Sequence, residues 1–280
     1  MTAVLSGVGL VCTGVTTTAT AGATSPPSIA VPGPLVALSA PATNGLMWVL
    51  TGTAKKALRA LNVTTGKVLY SESVSPYADS IGLSSNGAIL AVGTAAGLNS
   101  KAAILWYDGS TGRFLHAAFS PVSVTTVAVN GTGRTIYSVR DDGAATSEFV
   151  LGTANGLGFD FALPGAAVAV TPTRGGATSL ALTASGVVNT LVLPGGTFQP
   201  GFPTGAPGRA MALGPDNTTL YVLHAPTPGG SGSTIAVVDL TTGSVVRTIA
   251  AGAGSIGIAL SPDGRTLYEG MRSSVRAISV

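Results

Sequence analysis

The sequence predicts an all-β chain folded as a β-propeller, and three observations carry that expectation. A strand–turn–strand unit ending near Ser261 has upstream copies at Gly214, Thr171, Asn130, Ser84 and Ser39, with spacings of 47, 43, 41, 46 and 45 residues. That period is the length of one four-stranded blade. The chain holds 39 Gly and 17 Pro in 280 residues, without the three-residue period of collagen, as many tight turns require. Its strand segments are short and β-branched, which argues against helical repeats of similar length.

Each blade element has its own reason. The first strand of a copy is almost wholly apolar, as in Ile81-Gly82-Leu83, Val127-Ala128-Val129, Val168-Ala169-Val170, Met211-Ala212-Leu213 and Ile258-Ala259-Leu260. A strand buried on both faces around a central axis has that composition. A turn follows, in the form Ser85-Asn86-Gly87, Gly131-Thr132-Gly133, Pro215-Asp216-Asn217 or Pro262-Asp263-Gly264. Pro presets φ, Asp or Asn bonds the local backbone, and Gly accepts positive φ. The second strand alternates, as in Arg265-Thr266-Leu267-Tyr268. A second turn joins strands three and four: Asn62 to Gly66, Asp108 to Gly112 and Asp239 to Gly243. Its recurring Asp or Asn is expected to accept turn amides rather than do chemistry. Copy four is the least regular.

The sixth copy ends after its third strand, at Ser274 to Val280. Residues 23–31 lie in register with the missing outer strand. The expected architecture is therefore six four-stranded blades closed by an N-terminal strand, which removes free sheet edges. A seven-bladed ring or a partial ring is the alternative. Residues 1–22 read as a signal peptide or tail, with the propeller occupying 23–280. An apolar run from Val4 to Cys12 precedes a small-residue cleavage site at Ala19-Thr20-Ala21, but no Lys or Arg stands in front of it. An extracellular, cell-surface or periplasmic location is the expectation.

Composition bounds the function. Charged residues are 9% of the chain and the net charge is +3. The basic residues are scattered, so no phosphate-binding patch forms and nucleic acid is not an expected partner. Mean hydropathy is +0.49, yet no run of about 18 apolar residues exists to span a membrane. The single Cys12 forms no internal disulfide or multi-cysteine zinc site. No cofactor is expected, and the chain is expected to be a monomer.

The stretch Ile235-Ala236-Val237-Val238-Asp239-Leu240-Thr241-Thr242-Gly243, followed by Ile258-Ala259-Leu260-Ser261-Pro262-Asp263-Gly264-Arg265-Thr266-Leu267-Tyr268, resembles the YVTN-type, WD-like propeller repeat. The resemblance is good in copies five and six, fair in one to three and poor in four. It implies a rigid exported disc of bacterial surface or lactonase-like type. It specifies turn and core residues rather than an activity.

Candidate binding residues come from register: five residues before the aligned Ser position stand Pro34, Asp79, Thr125, Ala166, Arg209 and Ile256. The loops entering each first strand and those joining strands two and three share one face. They bring together Asp79, Arg140, Asp141, Asp142, Arg209 and His224, with Lys55, Lys56, Lys101 and Arg272 nearby. Asp79 and Arg209 fall three blades apart, hence across the channel. No catalytic set and no metal site is assigned. Asp79, Asp141, Asp142 and His224 would be acceptable hard ligands, but their spacing requires none. The expected function is a non-catalytic scaffold that binds a protein or small molecule through this loop face. A lactonase-like hydrolase at the channel mouth is the alternative.

Overall fold

A computed structural model describes residues 28–97, 101–141, 148–153, 156–193, 195–226 and 232–280. The expected signal segment 1–22, residues 23–27 of the expected closing strand, and Asp142 lie outside the described residues. The described residues contain strands and turns, with no helix long and apolar enough to cross a membrane.

The strands form six four-stranded antiparallel sheets. Five are uninterrupted meanders. Blade one holds β2 (Leu35–Leu38), β3 (Leu46–Gly52), β4 (Lys56–Asn62) and β5 (Val68–Val74). Blade two holds β6 (Ala78–Leu83), β7 (Ile89–Thr94), β8 (Ala102–Asp108) and β9 (Phe114–Ser120). Blade three holds β10 (Ser123–Val129), β11 (Thr135–Asp141), β12 (Glu148–Thr153) and β13 (Gly156–Ala162). Blade four holds β14 (Ala167–Pro172), β15 (Thr178–Thr183), β16 (Val187–Val192) and β17 (Thr197–Pro203). Blade five holds β18 (Gly208–Leu213), β19 (Thr219–His224), β20 (Thr234–Asp239) and β21 (Ser244–Ala250).

The sixth sheet is composite. It takes β22 (Gly257–Leu260), β23 (Thr266–Met271) and β24 (Ser274–Ser279) from the C-terminal end, and β1 (Ser28–Ala30) pairs antiparallel with β24 at its outer edge. The expectation of six four-stranded blades closed by an N-terminal strand is corrected in number to five blades, and the closing strand pairs where expected, in a sixth sheet built from two distant parts of the chain. The described residues form no seventh sheet. The described part of the closing strand is Ser28–Ala30, within the expected 23–31.

The inner strands β2, β6, β10, β14, β18 and β22 each contact the next, and β22 returns to β2. Their small and apolar residues permit that crowding. At Gly82 an added Cβ would lie 3.0 Å from the backbone of Ala128 on the neighbouring inner strand. The core lies between blades rather than inside any one of them. Leu58, Ala60 and Leu90 belong to the first interface, and Val31, Met47, Val49, Tyr268 and Val275 to the seam joining composite sheet to blade one.

The turns behave as the sequence predicts. Asn62 Oδ1 accepts the amides of Thr64 and Thr65 at 3.0 and 2.8 Å, and Asp108 Oδ1 accepts those of Ser110 and Thr111 at 3.0 and 2.9 Å. Hydrogen bonds from Ser110 lead in holding the Asp108 carboxyl below its ordinary pKa, and the Thr241 hydroxyl and amide do the same for Asp239. These aspartates are turn anchors. His116 packs edge-on against Trp106, ring centroids 4.3 Å apart.

One turn also locks two blades. Trp48 of β3 is wholly buried and donates Nε1–H to Gly109 O of blade two at 2.8 Å. Its ring covers Gly112, whose φ is +75° and whose added Cβ would lie 2.7 Å from the ring. Gly112→Ala combines backbone strain with overpacking, and we expect it to lower stability by about 1–3 kcal/mol. A urea midpoint unchanged from the parent protein would show that the Trp48 contact yields without strain.

Candidate functional site

Each blade has two ends. The loop end carries the starts of the inner strands and the connections between strands two and three. The turn end carries the tight turns between strands one and two.

At the loop end, a register shift recurs in five inner strands. It falls between Leu35 and Ala37, Ala78 and Ser80, Val124 and Thr126, Ala167 and Ala169, and Gly208 and Ala210. The bulged residues are therefore Val36, Asp79, Thr125, Val168 and Arg209. A bulge re-aims a side chain at the rim of a sheet. Asp79 and Arg209 occupy the same structural position on blades two and five, three places apart round the ring. In blades one and four the equivalent residues are Val36 and Val168, two positions beyond the expected Pro34 and Ala166. No bulge is found in β22.

The described candidate residues at this end have separate surroundings. Asp79, about half exposed, pairs with Lys56, whose Nζ lies 2.6 Å from Oδ1 and 2.5 Å from Ala78 O. Arg209 is half-buried and makes no hydrogen bond or ion pair among the described residues. Arg140 is buried and pairs with Val124 across β10. Asp141 closes β11 opposite Ser123.

Both ring nitrogens of His224 are engaged within the fold. It is 5% exposed, with Nδ1 3.1 Å from Thr234 Oγ1 and Nε2 3.1 Å from Thr204 Oγ1. Thr204 Oγ1 donates its one hydrogen to Gly186 O at 2.9 Å, so it accepts from Nε2–H, and Nδ1 accepts from Thr234. The chain Thr234–His224–Thr204–Gly186 ties blade five to a connection of blade four. Register supplies the reason. His224 pairs with Gly208 where Thr51, Thr94 and Thr183 pair with Leu35, Ala78 and Ala167. Thr94 accepts the Ala103 amide at 2.8 Å and Thr183 the Val187 amide at 3.0 Å, each closing its own hairpin. His224 is the longer version of that closure, and Arg140 occupies the same position in blade three.

Sequence reasoning missed Glu269. It is wholly buried on β23, and its carboxylate receives the Gly252 amide at 2.6 Å, Arg276 Nε at 2.6 Å and the Ser255 hydroxyl. The equivalent residues are Val49, Val92, Ala181 and Val222 in four blades and Ser138 in blade three, so the signal was a lone acid where no other blade has a charge. It fastens the connection from blade five to the composite sheet. Among the described residues, no three His, Cys, Asp or Glu side chains lie close enough to hold a metal ion.

A cavity lies at the other end. It measures about 460 Å³ and is walled by all six inner strands, including Leu83, Val129, Val170, Met211 and Leu260. The strand-one turns form its mouth. Backbone bonds define them as starting at Ala42, Ser84, Asn130, Thr173, Gly214 and Ser261, which moves the expected Ser39 and Thr171 starts by three and two residues. The second residue of each turn is Thr43, Ser85, Gly131, Arg174, Pro215 and Pro262, and all six line the mouth. Arg174 is the one charged residue among those lining the cavity.

Two carboxylates lie just outside. Burial raises the Asp216 pKa, but bonds from the Thr219 hydroxyl and the Thr218 and Thr219 amides outweigh it and bring it to about 2. Asp263 is likewise held low, first by the Ser261 hydroxyl.

Burial lowers the His224 pKa from its ordinary value near 6.5, against a weaker raising contact from Thr204. The unfolded chain then takes up a proton below that value while the folded chain does not. The stability from neutral His224 is complete above about 6.5 and declines as pH falls below it. We expect His224→Thr, the residue other blades use, to fold and to lose this slope. Its urea midpoint should approach that of the parent as pH falls from about 7.5 to about 5; a gap independent of pH would exclude a buried neutral imidazole.

Comparison with known proteins bears on the fold alone. No protein-family model matches the chain, so the repeat resemblance rests on the quoted residues, and no curated protein matches it. Among solved structures, a chain of hydrazine synthase from Kuenenia stuttgartiensis is similar with a TM-score of 0.64 at 14% identity, covering 89% of this chain and 96% of that one. The match is to a propeller-type structure, at an identity too low to carry an activity across.

Proposed function

We propose that the protein is a non-catalytic propeller that binds a small molecule in its central channel, entered from the turn end. The cavity walled by all six inner strands carries this reading. Its volume is that of an ordinary small-molecule site, which lies between about 300 and 1,000 Å³. Aliphatic side chains of the inner strands, with Thr43, Ser85, Arg174 and Ser261 of the turns, suit a ligand that has both an apolar body and a polar end. A metal-dependent lactonase-like alternative would need a coordinating cluster at a channel mouth, and no group of three His, Cys, Asp or Glu among the described residues supports it.

A protein partner at the loop end is a second reading, and the recurring bulge favours it. That device sets Asp79 and Arg209 on opposite sides of the ring. Export to the cell surface or periplasm, proposed from residues 1–22, is compatible with either.

Met211 provides the test, because it is one of only four methionines and lines the cavity. Its methyl resonance should shift on addition of a neutral amphiphile such as octanol, while that of buried Met47 stays in place. Ser85→Trp, a change at the mouth, should abolish the shift without altering the thermal midpoint. If octanol leaves the Met211 methyl unmoved, the channel is not a binding site.

A further inference from the structure

The turn-end mouth departs from its own repeat at two adjacent places. The first is Arg174. The five equivalent residues are Thr43, Ser85, Gly131, Pro215 and Pro262, small or rigid and uncharged. A long cation there supports no blade packing, since Arg174 is exposed. Its guanidinium makes no ion pair among the described residues. Its one side-chain hydrogen bond, from Nη2 to Pro262 O at 3.4 Å, is long, so most of its five donors remain available.

The second is Asn217. The last residue of the turn is glycine in the other five sheets: Gly45, Gly87, Gly133, Gly176 and Gly264, each with φ between +68° and +77°. Blade five places Asn217 there at φ +58°, the only non-glycine residue with positive φ among the described residues. The left-handed region disfavours side chains, although Asn tolerates it best. What the substitution gains is visible. Asn217 Oδ1 accepts the Arg174 amide at 3.0 Å, across the gap between blades four and five. A side chain in a backbone position that favours glycine thus holds the turn that carries the cation. Strain of this kind gathers at ligand clamps.

We propose that the channel takes a small amphipathic monoanion, a carboxylate on a compact apolar body, with Arg174 as its anchor and Asn217 as the positioning residue. This rests on the channel-binding reading. The planar guanidinium fits a carboxylate with two parallel hydrogen bonds. Leu83, Val129, Met211 and Leu260 of the inner strands add aliphatic wall to the same cavity, which suits an alkyl or aryl body. Asp216 and Asp263 oppose any anion, but each is engaged by its own turn. They also disfavour a ligand of higher charge.

The test compares octanoate, octanol and octylammonium by titration calorimetry, with the Met211 methyl shift reporting where each binds. Octanoate should bind at least about tenfold tighter than octanol, and octylammonium more weakly than either. Arg174→Gln should remove the octanoate advantage and leave octanol unchanged, with Arg174→Lys restoring part of it. Asn217→Gly keeps the turn, since glycine serves there in the other sheets. It should weaken octanoate about two- to fivefold and leave octanol unchanged, an outcome that loss of fold would not produce. If octanoate and octanol move Met211 with equal affinity, or octylammonium binds best, the anion assignment is overturned and the channel reading survives. If none of the three moves Met211, both fail.

Discussion

Ring closure is the constraint on which the rest depends. An apolar sheet face left in water stabilises nothing. Here the apolar faces of the inner strands are buried only against neighbouring sheets. The composite sheet has three strands from one end of the chain and gains the fourth from Ser28–Ala30. That pairing brings Val31 and Leu35 against Ala259, Tyr268 and Val275 at the seam. The backbone is also tied across the seam, with Val31 N to Ser273 O at 2.9 Å and Leu35 N to Arg272 O at 2.8 Å. These contacts span more than two hundred residues of sequence. Closing such a loop is entropically unfavourable and slow, and only the ring of buried interfaces offsets it.

Closure also explains where polar groups are buried. A chain with 9% charged residues has few ion pairs with which to fix blade to blade. It uses hydrogen bonds at the connections instead. Trp48 bonds the Gly109 carbonyl between blades one and two, and His224 with Thr204 joins blade four to blade five. Glu269 with Gly252 and Arg276 joins blade five to the composite sheet. Removing one member of such a group would leave a buried partner unsatisfied, which is worse than an apolar replacement of the whole. These residues are easily mistaken for chemistry, because buried His and Glu are uncommon in an apolar fold.

Much of the fold was legible because it depends on local rules. Apolar inner strands, Asp-anchored turns and the missing last strand all follow from composition within a few residues. The bulges were not legible. A bulge adds one residue to one strand relative to its partner, so neither strand shows it alone. This displaced the expected Pro34 and Ala166 to Val36 and Val168, while Asp79 and Arg209 were placed correctly by the same count. The role of His224 was hidden for another reason. Its equivalence to Thr51, Thr94 and Thr183 appears only when the strands are paired, and its bond to Thr204 crosses between blades. The open end of the channel was also out of reach, since it depends on how six inner strands taper together.

The two ends of the ring differ in how informative a departure is. At the loop end, connections vary in length and composition, so a charge there has many ordinary explanations. Lys56 with Asp79 is such a case, a pair on adjacent blades with one partner half exposed. At the turn end, the hairpins repeat with nearly the same backbone, and each position carries an expectation from five others. Arg174 and Asn217 break that expectation side by side, and neither gains packing by doing so. Glycine at the positive-φ position is the less strained choice, and what Asn217 gains for its strain is the bond that holds the Arg174 turn. The physical reason to look for function at the turn end is therefore not the amount of charge there. It is that Arg174, the one charged residue among those lining the cavity, is exposed and supports no blade packing.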